Sequence, residues 1–187
     1  MKRSLLCVLL LVVAGTASAE TAFQFAAPGL RAPDDPNVNG VRFAIFHGVN
    51  QRVRGVDFGF LSLSETADLS GLGLVLGLGK VTGKMSGGAA ISLVNVHSGE
   101  DTGLNAAFIN RLNNAEEAVN VAFVNIADGG TMVDVGGVNV SDRSTVQLGF
   151  LNVTQKIRGV QIGFLNIAEN GFLPVFPIFN FPKPGGP

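Results

Sequence analysis

His47 and His97 are the only imidazoles in the chain, and Cys7 is the only thiol. A zinc-type site needs several nitrogen or sulfur ligands at short, fixed spacings. Neither histidine has a second His or Cys near it, so the sequence assigns no metal ligand. The segment Gly77-Leu-Gly-Lys80-Val-Thr-Gly-Lys84 has the composition of a phosphate loop. Neither Gly-Lys pair is followed by Ser or Thr, however, and the first glycine of that pattern is missing. Gly71-Leu-Gly73 lacks the third glycine of a dinucleotide turn. Glu116, Glu117 and Asp134 are the carboxylates from which a sugar-cleaving pair would be assembled. Acidic residues fall mainly in the connections between repeats, which reads as solvated charge. There is no Gly-x-Ser-x-Gly elbow for a hydrolytic triad, and no Gly-Gly-x-Gly-x-Asp calcium repeat. The expectation is a chain with no catalytic residue, no metal site and no cofactor.

One residue type does recur at chemically meaningful spacing. Asn95, Asn110, Asn125, Asn139, Asn152, Asn166 and Asn180 occupy the seventh position of a repeated unit. The clearest copies are Val146-Gln-Leu-Gly-Phe-Leu-Asn-Val-Thr154 and Val160-Gln-Ile-Gly-Phe-Leu-Asn-Ile-Ala168. Other units begin at Val41, Val56, Leu72, Ala89, Leu104, Val119, Val133 and Pro174, giving ten units with starts 13 to 17 residues apart. Amides stacked in such a column can hydrogen-bond along the stacking axis. The fourth position is nearly always small, as in Gly59, Ala107, Ala122, Gly136, Gly149 and Gly163, with Val75 and Pro177 as exceptions, and the fifth is often Phe. His47, Ser62 and Leu78 stand where the earlier units would carry the Asn. A glycine precedes many units, with Gly55, Gly71, Gly87 and Gly103 evenly spaced. Asn139-Val-Ser141 and Asn152-Val-Thr154 match glycosylation sequons as by-products of the Asn column.

The elements that position these columns are strands. Apolar residues at positions one, three and five give a period of two, and the glycine and β-branched content disfavours helix. At positions five and six two apolar residues are adjacent, as in Phe164-Leu165. The apolar face, taken as the inward one, therefore switches parity beside the small fourth residue, and a bend there accounts for both features. The fold class expected is all-β, a parallel β-solenoid with one unit per coil. An antiparallel meander, open or closed into an up-and-down barrel, is the alternative. Prolines at 174, 177 and 182 favour the solenoid, because they blunt a terminal edge and cannot donate to a ladder.

The domain plan follows from the same pass. Lys2 and Arg3, the apolar run 5–13 and the small residues ending at Ala19 form the three-part pattern of a signal peptide, residues 1–19. Residues 20–40, with Pro28, Pro33 and Pro36, read as irregular; 41–182 are the repeat domain and 183–187 a tail. Cleavage would remove Lys2, Arg3 and Cys7, taking 13 basic residues to 11 against 14 acidic ones, a net charge of -3. That excludes a basic nucleic-acid binder and any disulfide framework. The 14 Phe without Tyr or Trp mark rings that need no polar partner.

The core Gly159-Val-Gln-Ile-Gly-Phe-Leu-Asn-Ile-Ala168, its copy at 146–154 and the ending Asn170-Gly-Phe-Leu-Pro-Val-Phe-Pro-Ile-Phe-Asn-Phe181 resemble a family of bacterial exported surface-repeat proteins. That family is built from Gly-Leu-Gln-Ile-Gly-Leu-x-Asn units with a Pro-rich closing unit. The resemblance covers residues 41–182 and implies a Gram-negative-type envelope protein of no established activity. Related chains are sometimes called polyester synthases; that chemistry needs a thiol nucleophile, and Cys7 lies within the signal peptide. The expectation is an exported, non-enzymatic envelope repeat protein with a structural or binding role, in the periplasm, outer membrane or cell surface. Its partners would be envelope components or the outer membrane. The competing readings are an outer-membrane β-barrel and a carbohydrate-active solenoid enzyme.

Overall fold

Repeats rich in glycine and β-branched residues fold as strand along almost their whole length. The computed structural model describes residues 20–185, so the signal peptide read at 1–19 lies outside the described residues. The elements are β1 (Thr21–Ala27), β2 (Leu30–Ala32), β3 (Asn37–Met85), β4 (Ala89–Asp101), β5 (Leu104–Ala168) and β6 (Val175–Asn180). They form one sheet in the order β2-β1-β3-β4-β5-β6. β3 and β5 are long because each winds through several units in extended conformation.

Pairing is parallel through the body of the chain. Leu72 lies beside Ala89, Ala89 beside Leu104, and Asn95 beside Asn110. A residue thus pairs with its equivalent one unit later. This is a parallel β-solenoid of stacked coils, and neither the antiparallel meander nor the closed barrel forms. The stacking is tight at the unit starts. At Gly55 (φ 119°) and Gly71 (φ 133°) the backbone is left-handed, and a Cβ would lie 2.2 Å from the Gly40 carbonyl oxygen and 2.1 Å from that of Gly55. Only glycine fits such a column. Its next member is Gly88; Gly87, at the expected even spacing, faces open space.

Burial alternates along each unit and reverses phase once, at the expected bend. In the unit starting at Val160, Gln161, Asn166 and Ala168 are buried whereas Ile162 and Phe164 are exposed. The parity switch is therefore real, but the inward and outward faces are opposite to expectation. The apolar columns at positions one, three and five face outward, and the polar second position and the Asn seventh position face inward. A coil of so few residues encloses a narrow interior. Amides, hydroxyls and small side chains fill it and bond to their own copies in the next coil, while Phe rings have no room there. Buried aliphatic residues gather in two clusters, Val38, Val53, Leu69, Val81, Met85 and Ala90 in the first half and Leu112, Ala115, Ala118 and Ala127 in the second, with Ile157 buried apart from both.

Both ends are covered. Residues 20–40 are not irregular throughout: β1 stacks in parallel on β3, with Gln24 beside Arg42, and so extends the repeat. The loop after β2 closes that end, where the Gln24 amide donates to the carbonyls of Pro33 (3.1 Å) and Asp35 (2.6 Å). At the other end the unit at Pro174 is not a further coil. β6 turns back and pairs antiparallel with the last coil, Asn180 opposite Gln161. Pro177 leaves one edge position without an N–H, and Phe172, Phe176, Phe179 and Phe181 gather over the end with ring separations from 5.3 to 6.2 Å. Removing residues 169–187 uncovers the edge of the last coil, a row of unpaired backbone groups. The expected outcome is concentration-dependent end-to-end association, read by light scattering and by sedimentation, with the intact chain unaffected.

Candidate functional site

The Asn column forms a continuous ladder. Asn95 Nδ2 donates to Asn110 Oδ1 (3.0 Å), Asn110 to Asn125 (2.9 Å), and Asn125 to Asn139, Asn139 to Asn152 and Asn152 to Asn166 at 2.8 Å each. The remaining amide proton goes to a backbone carbonyl, as from Asn110 to Asn105 and from Asn152 to Ile162. Asn166 closes the ladder on the carbonyl of Phe176 in β6. Asn180 is not a member: it sits opposite the second-position column and donates to the Leu173 carbonyl. Asn139 and Asn152 are fully buried, so neither sequon presents an accessible amide.

The ladder explains the small fourth column. A Cβ on Gly149 would lie 2.6 Å from Asn139 Nδ2, and one on Gly163 would lie 2.0 Å from the Gly149 carbonyl oxygen and 2.6 Å from Asn152 Nδ2. One on Gly136 would meet the Ala122 carbonyl oxygen at 2.1 Å, and one on Gly59 would meet Ser62 and Val75 at 3.0 Å. Ala122 is buried and Ala107 half-buried in the same column. In the earlier units the structure corrects the column. Gly79, not Leu78, lies beside Asn95, and Gly48 is buried next to a half-exposed His47.

A second polar ladder was missed by sequence reasoning. Asn105 donates to Asn120 (3.2 Å), Asn120 to Asp134 (2.8 Å), Gln147 to Asp134 (3.3 Å) and Gln161 to Gln147 (2.8 Å). Its upper end is a buried His97–Asp101 pair, with Asn105 also donating to Asp101 at 3.1 Å. The signal was the polar or small second position of every unit from Val41 to Val160, which reads as solvent-facing once its apolar neighbours are placed inside. Further up the same column Arg42 and Asp57 are buried together: Arg42 Nε donates to Asp57 Oδ1 at 2.7 Å, and Nη2 donates to the hydroxyls of Ser64 and Thr66. Between the two polar runs, Gly73 and Ala90 bring no polar side chain to the column. A cavity of about 20 Å³ remains there, lined by Asp57, Ser64, Thr66, Asn95 and His97, and it has room for a single water.

The structure does not assemble the carboxylates weighed for sugar cleavage. Glu116 and Glu117 are exposed in a shallow groove shared with Arg143 and Arg158, whereas Asp134 is interior, held by Thr131, Asn120, Ser144 and Gln147. Burial raises the Asp134 pKa despite these four donors. A raised folded-state value means that the folded chain binds the extra proton between the unfolded pKa of about 3.9 and that higher value. Its contribution to stability is fully present below this interval and is lost as pH rises through it. Asp134→Asn should remove that slope. The check is urea denaturation of parent and variant across the acidic range, the difference between the two shrinking toward low pH and levelling off above the raised pKa.

The glycine-lysine segment is interior strand, with Lys80 paired to Glu65 (3.1 Å) and Lys84 to Glu100 (2.6 Å). Among the described residues no three His, Cys, Asp or Glu side chains converge. What remains available to a partner is the exterior. Phe108, Phe123, Phe150 and Phe164 are each 59–69% exposed. Rings stack in pairs along the axis, Phe108 on Phe123 at 5.4 Å, Phe150 on Phe164 at 4.9 Å, and Phe43 on Phe58 at 5.2 Å. Charged residues gather in the connecting arc of each coil and pair across coils, as Arg111 does with Asp128 (2.8 Å). Comparison with known proteins finds no matching family model, no matching curated protein and no matching solved structure.

Proposed function

We propose that this chain is an exported, non-enzymatic repeat protein of the bacterial cell envelope, akin to the surface-repeat proteins it resembles, and that it works by presenting its outer face to an apolar partner. The observation that carries this reading is the run of exposed, stacked Phe and aliphatic columns on a rigid, internally bonded body. Exposed apolar patches of this extent mark interaction surfaces. The interior polar groups support a structural role: the Asn, Gln and Asp of both ladders bond to one another, to backbone carbonyls and to buried hydroxyls. Export is supported by the basic, apolar and small-residue regions of 1–19. The test is expression of the full chain in a Gram-negative host, followed by fractionation and mass measurement. A product beginning at Glu20 in the envelope fraction is expected. A chain retaining residues 1–19 and recovered from the cytosol would overturn the assignment.

A further inference from the structure

We infer that the apolar exterior is a lipid-binding wedge, which lies along a membrane with its Phe corner in the acyl-chain region and its charged arc in water. The inference rests on the proposal that the exterior is a binding surface, and it names the partner as lipid hydrocarbon. Four observations lead to it.

Outward positions one, three, five and six carry no charged residue in any unit from Val41 to Leu165. This apolar surface continues around the bend, from the face bearing Ile162 and Phe164 to the one bearing Leu165 and Ile167. A second copy docking on one sheet covers one of those faces; lipid surrounds a convex corner on both sides. The exposed aromatic side chains are all Phe, with no Tyr or Trp in the chain, which suits hydrocarbon depth and not the headgroup level favoured by rings with a polar handle.

Lipid also forbids unpaired backbone groups. In the solenoid the coils satisfy one another, and the terminal edge is closed by a strand holding Pro177 under a cluster of Phe rings. Finally, the charged arc has both signs and pairs internally, as with Lys84–Glu100 and Lys80–Glu65. The uncharged outer columns supply the attraction, while the charges of the arc, including Lys156, Arg158 and Lys183 beside Glu169, stay in water.

The experiment uses the chain from Glu20 onward, which has no cysteine of its own, with single cysteines at chosen outer positions labelled with a polarity-sensitive dye. Vesicles of pure phosphatidylcholine are added, with and without nitroxide-bearing acyl chains. Dyes at Phe150→Cys and Phe164→Cys should shift to the blue and be quenched by nitroxide lipid; dyes at Arg143→Cys and Lys156→Cys should do neither. In the variant Phe150→Lys with Phe164→Glu, whose new charges pair across the stack, vesicle affinity should fall by about tenfold or more per ring withdrawn. Phe108→Gln with Phe123→Gln supplies an independent pair for the same reading. Dyes at 150 and 164 that stay water-exposed with vesicles present would overturn the inference. So would a blue shift that appears without vesicles and grows with protein concentration, since a second copy would then be the occupant. Either failure leaves the export result standing, because that is read from location and mass.

Discussion

Gly163→Val prevents cooperative folding, and even Gly163→Ala lowers stability by about 4 kcal/mol. Gly163 does not have a left-handed backbone, so the effect is steric and not conformational. The new Cβ would sit 2.0 Å from the Gly149 carbonyl oxygen, a backbone atom that cannot move without separating two coils. Separation breaks parallel ladder bonds and draws Asn152 Nδ2, 2.6 Å from the same Cβ, away from Asn166. Overpacking of this kind costs about 1–3 kcal/mol, and each buried amide left without its partner adds about 1–3 kcal/mol. A domain of total stability around 5–15 kcal/mol tolerates little of that. Gly130→Ala is the control. Its Cβ would meet only Arg143 side-chain atoms at 3.6 Å or more, and the expected change is within about 0.5 kcal/mol. Urea unfolding followed by far-ultraviolet circular dichroism separates the two.

Asp57→Ala destabilises by about 3–5 kcal/mol because it strands a guanidinium inside the first coils. Arg42 is fully buried and Asp57 nearly so. The carboxylate takes Arg42 Nε at 2.7 Å and the Ser64 hydroxyl at 2.8 Å, and Thr66 lies 3.0 Å from the guanidinium. Replacing both partners with apolar side chains, Arg42→Met with Asp57→Leu, removes the charge and its desolvation cost together. Buried pairs replaced in this way are often neutral or gain stability, so the double variant should recover most of the loss. A double variant no better than Asp57→Ala would show that the hydroxyls of Ser64 and Thr66, not the ion pair, carry the local energy.

Much of the fold was legible in the sequence because stacking keeps columns in register. The unit starts, the bend beside the fourth position and the Asn95–Asn166 ladder all follow from positions that keep their type. The inward face did not. Alternation shows that two faces differ, not which one is buried, and the default that apolar faces turn inward fails when the interior is narrow and amides can bond to their own copies. Position two carried the clue, in Asn105, Asn120, Asp134, Gln147 and Gln161. Polar side chains look alike in water and in a ladder, so the clue was not decisive. The N-terminal coil was hidden by its prolines, although Phe23-Gln-Phe25-Ala26 already follows the first four positions of the unit. β6 keeps the unit's pattern yet runs backwards, and chain direction leaves no mark on side-chain order alone. Leu78 and Gly87 were assigned to the wrong columns because the register shifts between Val75 and Leu78.

The central claim is that amides are inside and rings outside. Side-chain amide exchange tests it most directly. With the folded protein transferred to deuterated buffer, the Nδ2 protons of Asn110, Asn125, Asn139 and Asn152 should persist as long as the slowest backbone amides of the coils. The rings of Phe150 and Phe164 should meanwhile show contact with added detergent or lipid. Ladder amides that exchange as fast as those of exposed Asn113 and Asn114, with Phe150 and Phe164 shielded from solvent in the lipid-free monomer, would contradict the account.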